Sequence, residues 1–192
     1  AAGYAPVFPE RPLDDPALKA AREAVDLILT GHEPFPALAV DRAWNLVAAN
    51  RAVAPLMALV DPELLTGKVN VLRLSLHPRG LAPRVENLTE WRAHILDRLR
   101  REVELTADPG LEALHAELRG YPAPAGAPAR VGAAFGAVAI PLRLNTPGGA
   151  LSFLTTTTVF GTPVDITLSE LTLETFFPAD EATAAALRAQ PL

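Results

Sequence analysis

The groups able to do chemistry are few, and their spacing points to binding rather than reaction. The four histidines, His32, His77, His94 and His115, share no i, i+4 spacing and form no ligand-like cluster, so no metal centre is expected. His94 alone flanks an apolar arc and could ligate a haem; a surface or satisfied core histidine is the plainer reading. There is no cysteine, which excludes disulfides, thiol catalysis, Cys-ligated metals and cysteine-dependent flavin photochemistry. Ser75 and His77 are near in sequence, but nothing completes a nucleophile–base pair. Gly148-Gly149 follow a proline and precede a strand-like run, which makes a turn and not a phosphate loop. No cofactor and no enzymatic activity are expected.

Two arginines stand out by their apolar surroundings. Arg92, at 100° per residue along a helix, points into the arc of Leu99 and Val103 and away from Arg98 and Arg101. A buried guanidinium needs an anion. That anion is a ligand carboxylate, or a structural Asp or Glu; otherwise the side chain snorkels to solvent. Arg73, within the apolar run Val71–Leu76, poses the same choice. Of the threonines Thr155–Thr158, Thr155 and Thr157 share a face with Leu151, Phe153 and Val159; their hydroxyls meet a polar head or are ordinary strand residues. Trp91, Ile95, Leu99 and Phe153 supply apolar walls, and Trp44, Phe135 and Phe160 are further aromatics of the same kind. Core packing is the alternative for each, because aromatics dominate cores. The candidate ligand-binding set is therefore Arg73, Arg92, Trp91, Ile95, Leu99, Phe153, Thr155 and Thr157.

Something must position these residues. A chain of 192 residues, 49% hydrophobic and 20% charged, is one domain with a real core, or a domain with an extra N-terminal element. The net charge of −5 argues against a nucleic-acid grip. The densest basic run, Arg98-Leu99-Arg100-Arg101, sits among acids. No apolar stretch reaches roughly 18 residues, so no membrane span is expected. Nothing resembles a signal peptide, and the cytoplasm is the expected compartment. The single Met is Met57, so a longer protein cut at Ala1 is expected.

Ala1–Leu13 holds three prolines and reads as an extended arm, with the domain proper over 14–192. Asp14-Asp15-Pro16 opens a helix whose apolar set is Leu18, Ala21, Val25, Ile28 and Leu29, ending at Gly31. Phe35–Val40 and Trp44–Ala48 form a hairpin about Asp41–Ala43. Asn50 then fits the N-cap of a helix over Arg51–Val60. Val69–Leu76 reads as a short helix. Asn87-x-x-Glu90 has the form of a capping box before a helix reaching about Leu105. Asp108-Pro109 opens another, with Leu111, Leu114 and Leu118 inward and Gly120 as its stop. Tyr121–Arg130 is a flexible loop. Val138, Ile140, Leu142 and Leu144 then alternate with period two, a turn follows at Asn145–Gly149, and Leu151–Phe160 and Glu170–Phe177 are further strands. Gly161–Pro163 turns the chain between the last two. Asp180 caps a closing helix over Glu181–Ala189. Five strands cannot bury a face alone, so helices must cover it. The expected class is α+β: a five-stranded antiparallel sheet with helices on one face, enclosing space between them.

That order resembles the PAS fold. Trp44-Asn45-Leu46-Val47-Ala48-Ala49-Asn50, Asn70-Val71-Leu72-Arg73, the helix from Trp91 to Leu99-Arg100, Pro147-Gly148-Gly149-x-Leu151-Ser152-Phe153 and Phe176-Phe177-Pro178-Ala179-Asp180 resemble, more closely, the ligand-binding domain of MmyB-like transcription regulators. The resemblance covers roughly Glu33 to Leu187, and the tail departs from the commonest family form. Ala1-Ala-Gly-Tyr4 resembles the end of a helix-turn-helix domain. The resemblance implies a PAS-like sensor of a small apolar molecule such as a fatty acid. It also implies a DNA partner reached only through the N-terminal domain that would precede Ala1. A homodimer is expected and a membrane is not. The rival readings are a dimerisation module with a filled core, pairing through Asp15–Thr30, and a small hydrolase.

Overall fold

The structure is a computed structural model, and residues 19–122, 140–159 and 171–189 are described. The proline-rich arm, the Asp14-Asp15-Pro16 helix start, Leu18, most of the Tyr121–Arg130 loop, Phe135, Val138, Phe160 and Gly161–Pro163 lie outside these residues.

The first strands follow from one aspartate. Asp41 Oδ1 accepts from the amides of Ala43 at 2.9 Å and Asn45 at 2.8 Å, and Oδ2 accepts from Asn45 Nδ2 at 2.9 Å. An aspartate that bonds its own backbone two residues on folds the chain locally. The turn joins β1 (Ala37–Val40) to β2 (Leu46–Ala49) as an antiparallel pair. Trp44, inside the turn, takes a left-handed φ of 65°.

Asn50 does not cap a helix. The chain makes a 3-10 turn over Arg51–Val53 and a short helix α2 (Ala54–Met57), and the Asn50 side chain makes no capping bond. Its Oδ1 accepts from the Ala37 amide at 3.1 Å, and Nδ2 donates to the carbonyls of Leu29 at 3.0 Å and Phe35 at 2.8 Å. A buried amide satisfies every partner in reach, and here those partners belong to segments that tertiary folding brings in.

Asn70 does cap: its Oδ1 accepts from Arg73 N at 3.0 Å at the start of α3 (Val71–Leu76). Asn87 does not form the expected capping box. Ahead of α4 (Leu88–Thr106) it accepts from Arg143 N at 3.2 Å and donates to Pro141 O at 2.8 Å, pinning the helix to the sheet edge. Asp108 caps α5 (Pro109–Gly120), accepting from Gly110 N at 2.7 Å. Strand β3 (Leu142–Thr146) and β4 (Gly149–Val159) meet in a two-residue turn. Gly149 has φ of 118° there, a conformation that favours glycine. Strand β5 (Thr172–Pro178) and α6 (Glu181–Arg188) finish the domain, and Asp180 caps α6 through Thr183 N at 2.7 Å.

The sheet order is β2-β1-β5-β4-β3, all antiparallel. This is an α+β, PAS-like fold. Helices α3, α4 and α5 cover one face, where Leu38, Leu142, Leu144 and Phe153 meet Leu72, Trp91, Leu99, Leu114 and Leu118. The other face of β1 and β5 is not bare. Helix α1 (Lys19–Gly31) lies on it, with Val25 and Leu29 packed on Ala37, Ala39 and Leu173. All four residues of β1 are buried for that reason. Ile28, expected on the buried stripe of α1, is 42% exposed: the stripe resting on the alanines is narrow.

Candidate functional site

Between α3, α4 and the sheet lies a cavity of about 100 Å³. Its walls are apolar: Leu38 from β1, Leu142 and Leu144 from β3, Phe176 from β5, Leu72 and Leu74 from α3, and Trp91, Ile95 and Leu99 from α4. An apolar hollow with a few placed polar groups is the ordinary form of a small-molecule site. The polar groups are Ser75, His94, Arg98, Thr155 and Glu174. Ser75 is engaged, since Trp91 Nε1 donates to its Oγ at 2.8 Å.

The other four gather at one end. His94, Arg98 and Thr155 also line an outer groove with Arg101, Glu102, Leu105 and Thr157. Cavity and groove thus adjoin between α4 and β4. Arg98 spans this mouth. Its Nη2 meets Glu174 Oε1 at 2.9 Å and its Nε lies 3.4 Å from Glu102 Oε1. Its guanidinium carbon sits 4.3 Å from the centroid of the Trp44 ring, a cation–π stack. Trp44 Nε1 donates to Glu102 Oε2 at 2.8 Å, and Thr157 Oγ1 donates to Glu174 Oε1 at 2.8 Å. A buried carboxylate needs this much company: the Glu174 side chain is only 8% exposed. Burial first, then the charges of Arg98 and Arg101, hold the His94 imidazole below its ordinary pKa.

Of the residues singled out from sequence, Trp91, Ile95, Leu99 and Thr155 line the cavity, and Thr157 lies at the outer groove. Phe153 is fully buried behind the wall, edge-on to Phe176 with centroids 6.0 Å apart. Arg73 and Arg92 line neither. Arg73 forks onto Glu117 of α5, Nε to Oε1 and Nη2 to Oε2, both at 2.7 Å. That fork is the main reason the Glu117 carboxyl is lowered to about 2. Tyr121 also bonds Glu117, and burial first, then this bond, pushes its hydroxyl up to about 12. Arg92 Nη2 donates to Arg119 O at 2.8 Å at the C-terminal end of α5, where a cation complements the helix dipole. Among the described residues Arg92 Nε is buried without a partner.

Arg98 and Glu174 are what the sequence reading missed. Assigning α4 a single inward arc put Arg98 outside. The helix has two inward sides: Arg92 lies against α5, and Trp91, Ile95 and Arg98 against the cavity. The signal for Glu174 was weak: an acid inside a strand, 76 residues from its cation.

Among the described residues no three His, Asp or Glu side chains come together so as to hold a metal ion, and no helix is long and apolar enough to cross a membrane. No curated protein sequence matches the chain. The family profile of the MmyB-like transcription regulator ligand binding domain matches residues 21–189. That match runs from α1 through α6, and the chain belongs to this family of regulator domains.

Proposed function

We propose that this domain senses a small apolar ligand with a fatty-acid-like chain, and that filling the cavity changes DNA binding by a helix-turn-helix domain of the same regulator. The carrying observation is the apolar hollow walled by Trp91, Ile95, Leu99, Leu144 and Phe176. A filled core would present no such space, since interiors pack as densely as organic crystals. At about 100 Å³ the hollow is smaller than the roughly 300–1,000 Å³ of drug-sized sites. A short chain fits as it stands, and a longer one needs the mouth between α4 and β4 to widen. The domain acts as a homodimer in this reading, supported by Leu27 and Ile28, which α1 presents outward at 75% and 42% exposure.

Native mass spectrometry of the purified domain, before and after organic extraction and after adding octan-1-ol, tests both parts. One bound amphiphile per chain, carried or taken up, and a two-chain species are expected. A chain that neither carries nor accepts any amphiphile sinks the sensor reading, and a strictly single-chain species sinks the dimer.

A further inference from the structure

The apolar walls say what the ligand's chain must be like; the polar end of the cavity says what its head must be like. We propose that the site takes an amphiphile with a neutral head that donates a hydrogen bond, a primary alcohol or primary amide, and turns away the matching carboxylate. The proposal rests on the sensor reading for the apolar chain and goes beyond it only at the head.

The reason is the charge at the mouth. A carboxylate would need a free cation there. Arg98 is the one cation on the cavity wall among the described residues, and two carboxylates already share it, Glu174 at 2.9 Å and Glu102 at 3.4 Å. The trio carries one more negative charge than positive. Arg101, in the outer groove, is committed to Asp97. His94 is no substitute cation, because burial and the charges of Arg98 and Arg101 hold its pKa below the ordinary value. The two arginines that could have met an acid, Arg73 and Arg92, are tied to α5. An entering carboxylate would meet Glu174 at close quarters in a low-dielectric site, where like charges repel strongly. At Arg98 Nη1 it would be the third carboxylate on one guanidinium, and to draw Arg98 away it would have to leave Glu174 buried without its partner, the costly way to break an ion pair.

A neutral head meets no such obstacle. Among the described residues both hydrogen bonds to the Glu174 carboxylate go to Oε1, from Arg98 and Thr157, so Oε2 can accept from a ligand hydroxyl or amide. Arg98 uses Nε and Nη2 for its carboxylates, which leaves Nη1 to donate to a ligand oxygen. An amide, with N–H groups and a carbonyl side by side, complements a carboxylate and a guanidinium set side by side.

Isothermal titration calorimetry with octan-1-ol, octanamide and octanoate at neutral pH tests this on the wild-type domain and on Glu174→Gln. The expected result is that the two neutral probes bind wild type at least about tenfold more tightly than octanoate. Glu174→Gln, which keeps the side chain's shape and removes its charge, is expected to shrink that ratio by at least about tenfold. Octanoate binding wild type as tightly as the neutral probes overturns the head-group assignment and leaves the sensor reading standing, and this ratio needs no variant to fold. An unchanged ratio in a folded Glu174→Gln also overturns it. Failure of all three probes to bind overturns the sensor reading and the head-group proposal together.

Discussion

The Nδ2 of Asn50 lies 3.0 Å from the carbonyl oxygen of Leu29, so the residue just after β2 holds the last turn of α1 against the sheet. The same side chain closes onto Ala37 N and Phe35 O. One amide therefore joins the helix on one face to the strand it lies on. Asn50 is 7% exposed, and truncation strands Ala37 N and Phe35 O, while Leu29 O keeps only the amide of His32. Asn50→Ala is expected to cost about 3 kcal/mol, the size of buried polar groups left unpaired. Chemical denaturation measures it, and a loss below about 1 kcal/mol would show that water replaces the side chain.

A hollow and a solid core answer a larger side chain differently. In a well-packed interior an added ring forces strain and costs about 1–3 kcal/mol. Ile95 is buried and faces the cavity. Ile95→Phe is expected to grow into the vacant space, keep stability within about 1 kcal/mol of wild type, and abolish octan-1-ol binding. Calorimetry and a denaturation curve on one sample decide it. Retained binding would place the ligand elsewhere.

The fork between Arg73 and Glu117 makes part of the stability depend on pH. The Glu117 carboxyl is lowered from 4.5 to about 2, chiefly by hydrogen bonds from Arg73. A carboxyl depressed by folding contributes stability that is complete above its unfolded value and is lost as pH falls through the folded one. The loss attributable to this pair therefore falls between pH 4.5 and about 2. Both partners are partly exposed, so solvent screening reduces the effect. Glu117→Gln is expected to flatten the urea midpoint against pH in that window and to leave octan-1-ol affinity at neutral pH unchanged. A variant as acid-sensitive as wild type would remove the role given to the pair.

The succession of strands along the chain, the turn aspartate Asp41 and the capping aspartate Asp108 were legible because their causes are local. Asp41 and Asp108 bond amides two to four residues away, and the alternation of β3 and β4 is carried by each strand itself. What the sequence hid depends on partners far along the chain. Asn50 and Asn87 look like caps from their neighbours, yet they bind segments up to 21 and 56 residues away. Arg92 and Arg98 exchange places relative to the expectation because α4 is wedged between α5 and the sheet, and a helix with two buried sides has no single inward arc. Nothing local marks Glu174 as the partner of Arg98, because strand alternation gives two faces without saying which is inward.

Strand β5 runs through the middle of the sheet, between β1 and β4. Glu174 and Phe176 look into the cavity from one side of it, while Leu173 supports Val25 and Leu29 of α1 from the other. A strand is a single backbone thick. The floor under a guest is thus the ceiling over a helix on the far side, with no intervening layer to absorb a push. In the sensor reading proposed above, crowding at Phe176 would reach α1 across the width of one chain, and the earliest helix described sits where a guest would be mechanically felt.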